Sequence, residues 1–79
     1  MYFVYILKLY NRKTYVGCTK NIKERLNRHK NGKVLSTRNK LPIKLIYLSI
    51  FKNKYLAYNF EKYLKSGSGR VFTKRHLIN

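Results

Sequence analysis

Arg25, His29 and Glu61 are polar residues on helix faces that should be apolar, and they are where chemistry is expected in this sequence. A core-facing helix stripe recurs at i, i+3, i+4 and i+7. The first such stripe is Ile22, Arg25, Leu26 and His29, which puts the guanidinium and the imidazole one turn apart on the same side. The second is Ala57, Phe60, Glu61 and Leu64, with Lys54, Lys62 and Lys65 expected elsewhere on that helix. Burying an unpaired carboxylate costs several kcal/mol, so Glu61 is expected to be ion-paired, protonated or bound to a metal. Two tyrosine motifs, Phe3-Val4-Tyr5 and Tyr15-Val16-Gly17, precede these helices. Taken singly, each feature has an ordinary explanation. Glu61 can be the ion-pair partner of Arg25, His29 a boundary residue, Tyr5 and Tyr15 strand packing, Gly17 a strand end and Cys18 a small packing residue.

These residues need elements to hold them. Residues 2–9 are apolar on both alternating faces and predict a central strand. Asn11-Arg12 marks a turn, and Lys13 to Cys18 returns as a second strand. Asn21-Ile22-Lys23-Glu24 has the form of a capping box, which predicts a helix from Ile22 to about Asn31, stopped by Gly32. Residues 33–41 are polar and basic and predict a loop. Ile43 to Phe51 predicts a third strand, buried on both faces. Asn53 caps a second helix, Lys54 to Lys65, which Ser66-Gly67-Ser68-Gly69 should break before a short last helix over Val71–Leu77. The order β-β-α-β-α-α predicts an α+β domain, a three-stranded antiparallel sheet flanked by helices, with residues 1–79 as one unit. Register adds a condition. With a two-residue turn, Tyr5 and Tyr15 leave opposite faces of the hairpin; a loop of odd length puts them on one face.

The chain has 19 Lys+Arg against two acids, Glu24 and Glu61, for a formal net charge of +17 over 79 residues. The cations run from Lys8 to Arg75 without forming a tail, which predicts a folded basic surface whose partner is nucleic acid. No stretch approaches the roughly 20 apolar residues of a spanning helix, and the start lacks a signal-peptide pattern. A membrane partner is therefore not expected, and a cytoplasmic location is. One cysteine excludes an internal disulfide and any multi-cysteine zinc site.

The full constellation of Phe3-Val4-Tyr5, Tyr15-Val16-Gly17, Arg25 and His29 on one helix and Glu61 on a later one resembles the GIY-YIG nuclease superfamily. The resemblance runs from about Tyr2 to Phe72. It is closest to small stand-alone members and to the 3′-incision module of the bacterial excision-repair nuclease. It implies a metal-dependent DNA endonuclease acting in repair or recombination. Tyr5 or Tyr15 would be the general base toward water, with Tyr5 favoured. Arg25 would hold the scissile phosphate, His29 would assist in proton transfer or positioning, and Glu61 would hold a single divalent metal, Mg²⁺ or Mn²⁺. No small-molecule cofactor is implied. A lone hard carboxylate suits Mg²⁺, which keeps most of its waters. A tyrosine with a pKa near ~10 is a weak base unless nearby cations lower it, the direction expected in so basic a chain. Lys20, Arg28, Lys33, Arg38, Lys40 and Arg70 are the expected phosphate contacts.

Two positions depart from the family pattern. Phe3 stands where the first tripeptide has glycine, and Thr73-Lys74-Arg75-His76 stand where many members carry an asparagine. With no added DNA-binding domain, cleavage is expected to follow DNA structure (branches, flaps or nicks) rather than sequence. The competing reading is a basic nucleic-acid-binding module with this fold and little activity. A small ribosome- or RNA-associated protein is a third, for which no RNA-binding signature is present.

Overall fold

A computed structural model describes residues 1–77. Its order is β1 (Tyr2–Lys8), β2 (Thr14–Thr19), α1 (Ile22–Lys30), β3 (Lys44–Phe51), α2 (Lys54–Lys65) and α3 (Gly67–Phe72), followed by a π-helical turn over Thr73–Leu77. The sheet is antiparallel with order β2-β1-β3, so β1 is central, and Val4, Tyr5, Ile6 and Leu7 are fully buried. Even-numbered residues of β1 face α2: Val4 and Ile6 pack with Ala57 and Leu64. Odd-numbered residues face α1: Tyr5, Leu7 and Leu9 pack with Tyr15, Ile22, Leu26 and Ile43.

The β1–β2 loop has three residues, Tyr10-Asn11-Arg12. The Leu9 amide donates to the Lys13 carbonyl at 2.8 Å, and the Arg12 amide donates to the Leu9 carbonyl at 3.0 Å. Arg12 takes the left-handed conformation, φ 66°, that closes a three-residue hairpin loop. The odd count sets the register: Tyr5 faces Gly17 and Leu7 faces Tyr15. The two tyrosines therefore leave the same face of the sheet.

Helix boundaries follow their capping residues. Asn21 accepts from the Glu24 amide at 3.1 Å, and Asn53 accepts from the Tyr55 and Leu56 amides at 2.7 and 3.3 Å. The capping box of α1 is only half formed. The Asn21 amide donates to Thr19 Oγ1 at 3.1 Å, not to Glu24, which pairs with Arg28 instead. At the other end, Gly32 has φ 69° and donates to the His29 carbonyl, while Lys33 donates to that of Arg28. This is the paired closure a left-handed glycine allows.

Two expectations change. β3 is an edge strand, not one buried on both faces. Phe51, Tyr47 and Ile46 pack toward α2, but Leu45, Leu48 and Ile50, on the other face, are exposed. A bulge at Ile46, between the Ile6 and Leu7 pairings, separates the two sets. The Ser-Gly-Ser-Gly segment does not separate two helices by a loop. Ser66 ends α2 and caps α3, its hydroxyl accepting from the Gly69 amide at 3.1 Å. Helix α3 thus begins at Gly67, four residues before Val71. Gly69 is what lets it dock, because a Cβ there would overlap the Tyr63 carbonyl and Leu64 Cα.

Candidate active site

Tyr5 lies at the middle of the central strand, and its register partner is Gly17. A Cβ at position 17 would overlap the Tyr5 hydroxyl and ring. Gly17 therefore does more than end a strand: its missing side chain is the space the Tyr5 phenol occupies. Tyr15, two residues earlier on β2 and on the same face, brings its ring centroid to 6.4 Å from that of Tyr5.

His29 completes this cluster from the last turn of α1. It is fully buried. Its ring stands edge-on to Tyr15 at 5.2 Å and to Tyr5 at 5.7 Å. His29 Nε2 is 2.9 Å from the Tyr5 hydroxyl, and Nδ1 is 2.8 Å from Thr37 Oγ1. Thr37, also fully buried, comes from the 33–41 segment. That segment is tied to the hairpin by the Tyr10 amide donating to the Lys40 carbonyl at 3.1 Å. The result is a buried chain of polar groups, Tyr5–His29–Thr37. Sequence reasoning did not find Thr37, since a lone threonine in a basic loop carries no periodic signal.

Burial also sets the protonation states. It lowers the pKa of His29 below its usual 6.5, with the charges of Arg25 and Arg28 adding to the effect. The ring is therefore neutral at neutral pH, with one nitrogen donating and one accepting. Burial raises the pKa of Tyr5 from 10.0; Arg25 opposes this, while Tyr15 and Glu61 reinforce it. The expected depression of Tyr5 by surrounding cations is not found, because the phenol is desolvated while most of the cations lie in solvent. Burial likewise pushes the Cys18 thiol up, with Glu61 adding to it, which makes Cys18 a packing residue rather than a nucleophile.

Arg25 sits one turn before His29 and is half-buried. Among the described residues it forms no ion pair: Glu24 pairs with Arg28 at 3.9 Å and Glu61 with Lys65 at 3.1 Å. Glu61 is therefore neither the partner of Arg25 nor remote from lysine. Lys65 lies at i+4, the spacing that stacks side chains on one helix flank. The Glu61 side chain is 22% exposed, and its charge acts on both Tyr5 and Cys18, as does that of Arg25. Arg25 and Glu61, from helices on opposite faces of the sheet, thus bear on the same short stretch of β1 and β2.

The expected phosphate contacts Lys20, Arg28, Lys33, Arg38, Lys40 and Arg70 are all exposed. Arg28 is engaged with Glu24. Arg70 lines a separate groove between the hairpin and α3 with Arg12, Lys13 and Lys74, none of which was expected as a phosphate contact. Among the described residues, no three His, Cys, Asp or Glu side chains cluster as a multidentate metal site. No helix among the described residues is long and apolar enough to cross a membrane.

A family model described as the GIY-YIG catalytic domain matches residues 1–75. A UPF0213 protein of Clostridium perfringens is 41% identical over 66 residues, which cover 82% of this chain and 71% of that protein. A UPF0213 protein of Streptococcus agalactiae is 38% identical over 78 residues, covering 94% and 89%. The solution NMR structure of a UPF0213 protein from Bacillus halodurans superposes with a TM-score of 0.61 at 30% identity, covering 95% of this chain and 82% of that one.

Proposed function

The chain belongs to the GIY-YIG nuclease family, and on that premise we propose that it is a metal-dependent endonuclease that hydrolyses DNA phosphodiester bonds at structural features rather than at a sequence. One observation carries this reading. Beside the hydrogen-bonded Tyr5–His29–Thr37 chain stands Arg25, a half-buried guanidinium that no acid neutralises among the described residues. Such a group is a preformed site for an oxyanion, and the planar donors of arginine match a phosphate.

The geometry supports a role for each residue in this reading. Arg25 holds the scissile phosphate and offsets the charge that develops in the transition state. Tyr5 accepts a proton from the attacking water as it gives its own to His29 Nε2. Burial raises the pKa of Tyr5 and lowers that of His29, and both directions oppose a standing phenolate–imidazolium pair, so the relay has to be concerted with attack of the water. Thr37 accepts from Nδ1–H, which leaves Nε2 unprotonated and facing the phenol. Tyr15 packs against both rings and holds them in place. Glu61 suits a lightly held divalent cation: it is one hard, partly exposed carboxylate, and Mg²⁺ keeps most of its waters when few protein ligands hold it. A metal bound there supplies charge stabilisation to the phosphate oxygens. Lys65 would have to leave the carboxylate for the metal to bind.

The test is incubation of the pure protein with labelled branched, flapped, nicked and linear DNAs, with Mg²⁺, Mn²⁺ or EDTA. Cleavage is expected with metal and absent in EDTA. Glu61→Gln should lose cleavage while DNA binding is kept or strengthened, since negative charge near phosphate is removed. Full activity in Glu61→Gln would remove the carboxylate from the reaction. Binding without any cleavage would favour the competing reading, a binding module of this fold.

A further inference from the structure

Tyr58 stands one helical turn before Glu61 on the same flank of α2, and it is 49% exposed. Its ring meets Tyr2 edge-on, with centroids 6.4 Å apart and planes at 74°. Lys20 Nζ lies over the Tyr2 ring, 5.5 Å from its centroid. Beyond Glu61 by another turn, Lys65 reaches the carboxylate. A row thus runs Lys20, Tyr2 and Tyr58 in contact, and continues one helical turn on with the Glu61–Lys65 pair. Tyr58 is too exposed to serve the core. Tyr2, itself half-buried, holds the Tyr58 ring from one side. Cations beside exposed aromatic rings form the surface on which an unpaired strand binds: the cations take the backbone and the rings take the bases. A base inside a duplex has no free face to offer.

We propose that Tyr58 is a stacking platform for an unpaired base next to the scissile phosphate, with Lys20 holding the backbone farther along the row. The preferred substrate is then DNA that is single-stranded on at least one side of the cleaved bond. This inference rests on the reading of the chain as a DNA nuclease and narrows its substrate.

The experiment measures binding of the full chain in EDTA, where no cleavage intervenes. The probes are a labelled mixed-sequence single strand of about 12 nucleotides, within the range of single-strand site sizes, and its blunt duplex. Tyr58→Ala should lose about five- to hundred-fold in affinity for the single strand, the cost of removing one base stack. Its affinity for the duplex, carried by phosphate contacts, should stay within about two-fold. Tyr58→Phe, which keeps the flat ring, should bind the single strand like the parent. Tyr58→Leu, which keeps apolar cover on Tyr2 without a flat ring, should behave like Tyr58→Ala. Tyr10→Ala, at the 60% exposed hairpin tip, should leave single-strand binding near parental. Parental binding by both Tyr58→Ala and Tyr58→Leu, or equal losses on single strand and duplex, overturns the stacking role alone. A parent protein that binds neither DNA overturns the nuclease reading as well.

Discussion

At the scale of single residues, two arginines on one helix have opposite fates. Arg25 is half-buried and without an acid partner among the described residues, whereas Arg28 is exposed and paired with Glu24. Arg25→Ala should therefore lower the cleavage rate by at least about a hundred-fold, the scale of one lost transition-state donor. Arg28→Ala should cost no more than about three-fold, since an exposed pair contributes little. Comparable losses measured for the two variants would make Arg25 ordinary surface charge. His29 gives a pH prediction that needs no activity. Its folded pKa is depressed from 6.5 by burial and by Arg25 and Arg28, so below that value the unfolded chain binds the extra proton first. The stability that His29 contributes is then fully present above pH 6.5 and is lost as the pH falls from there through the lower folded value. Thermal unfolding should show a drop in melting temperature between pH 7.5 and 5 that His29→Asn largely removes. An equally steep drop in the variant would assign the pH dependence to other groups.

At the scale of elements, the α2–α3 junction is governed by two glycines with different duties. Gly69 faces the Tyr63 carbonyl so closely that a methyl group cannot fit, whereas nothing lies within 4 Å of a Cβ at Gly67. Gly67 also opens α3, where alanine is well tolerated. Gly67→Ala should stabilise the protein by about 0.4–1 kcal/mol through reduced unfolded-chain entropy. Gly69→Ala should destabilise it by more than about 1 kcal/mol through overpacking. Denaturant or thermal melts of the two variants decide this, and shifts of the same sign would mean that the junction is not packed as described. The hairpin loop is the other decisive element. Its three residues, closed by Arg12 at φ 66°, put Tyr5 and Tyr15 on one face of the sheet. A two-residue turn would have separated them and left the His29 ring with one aromatic neighbour.

At the scale of the whole molecule, a net charge of +17 dominates. Its cations are distributed over several surfaces, including the loop after α1, the start of α1 and the groove between the hairpin and α3. The logarithm of the DNA-binding constant should therefore fall linearly with log[salt], with a slope of about −0.9 per phosphate neutralised on duplex and about −0.7 on single strands. It should vary little among sequences of the same structure, because contacts to phosphate carry no sequence information. Affinity measured across a salt series on two unrelated sequences checks both points. A flat response, or a strong preference for one sequence, would contradict them.

The fold was legible because its signals are local and repeated. A run apolar on both faces marked β1, the Asn11-Arg12 turn marked the return of β2, asparagine caps marked the starts of α1 and α2, and the order of elements then implied the antiparallel sheet. The candidate site was legible in part because Arg25, His29 and Glu61 break the apolar stripes of their own helices. What the sequence could not determine depends on contacts between distant segments. Whether β3 is central or at an edge is a matter of strand order, and a run of apolar residues looks the same in both places until pairing leaves Leu48 and Ile50 uncovered. Thr37 enters the site only because the 33–41 segment folds back over His29. The pKa directions of Tyr5 and His29 were set by burial rather than by net charge, because desolvation acts at the atom while solvent screens the exposed cations around it.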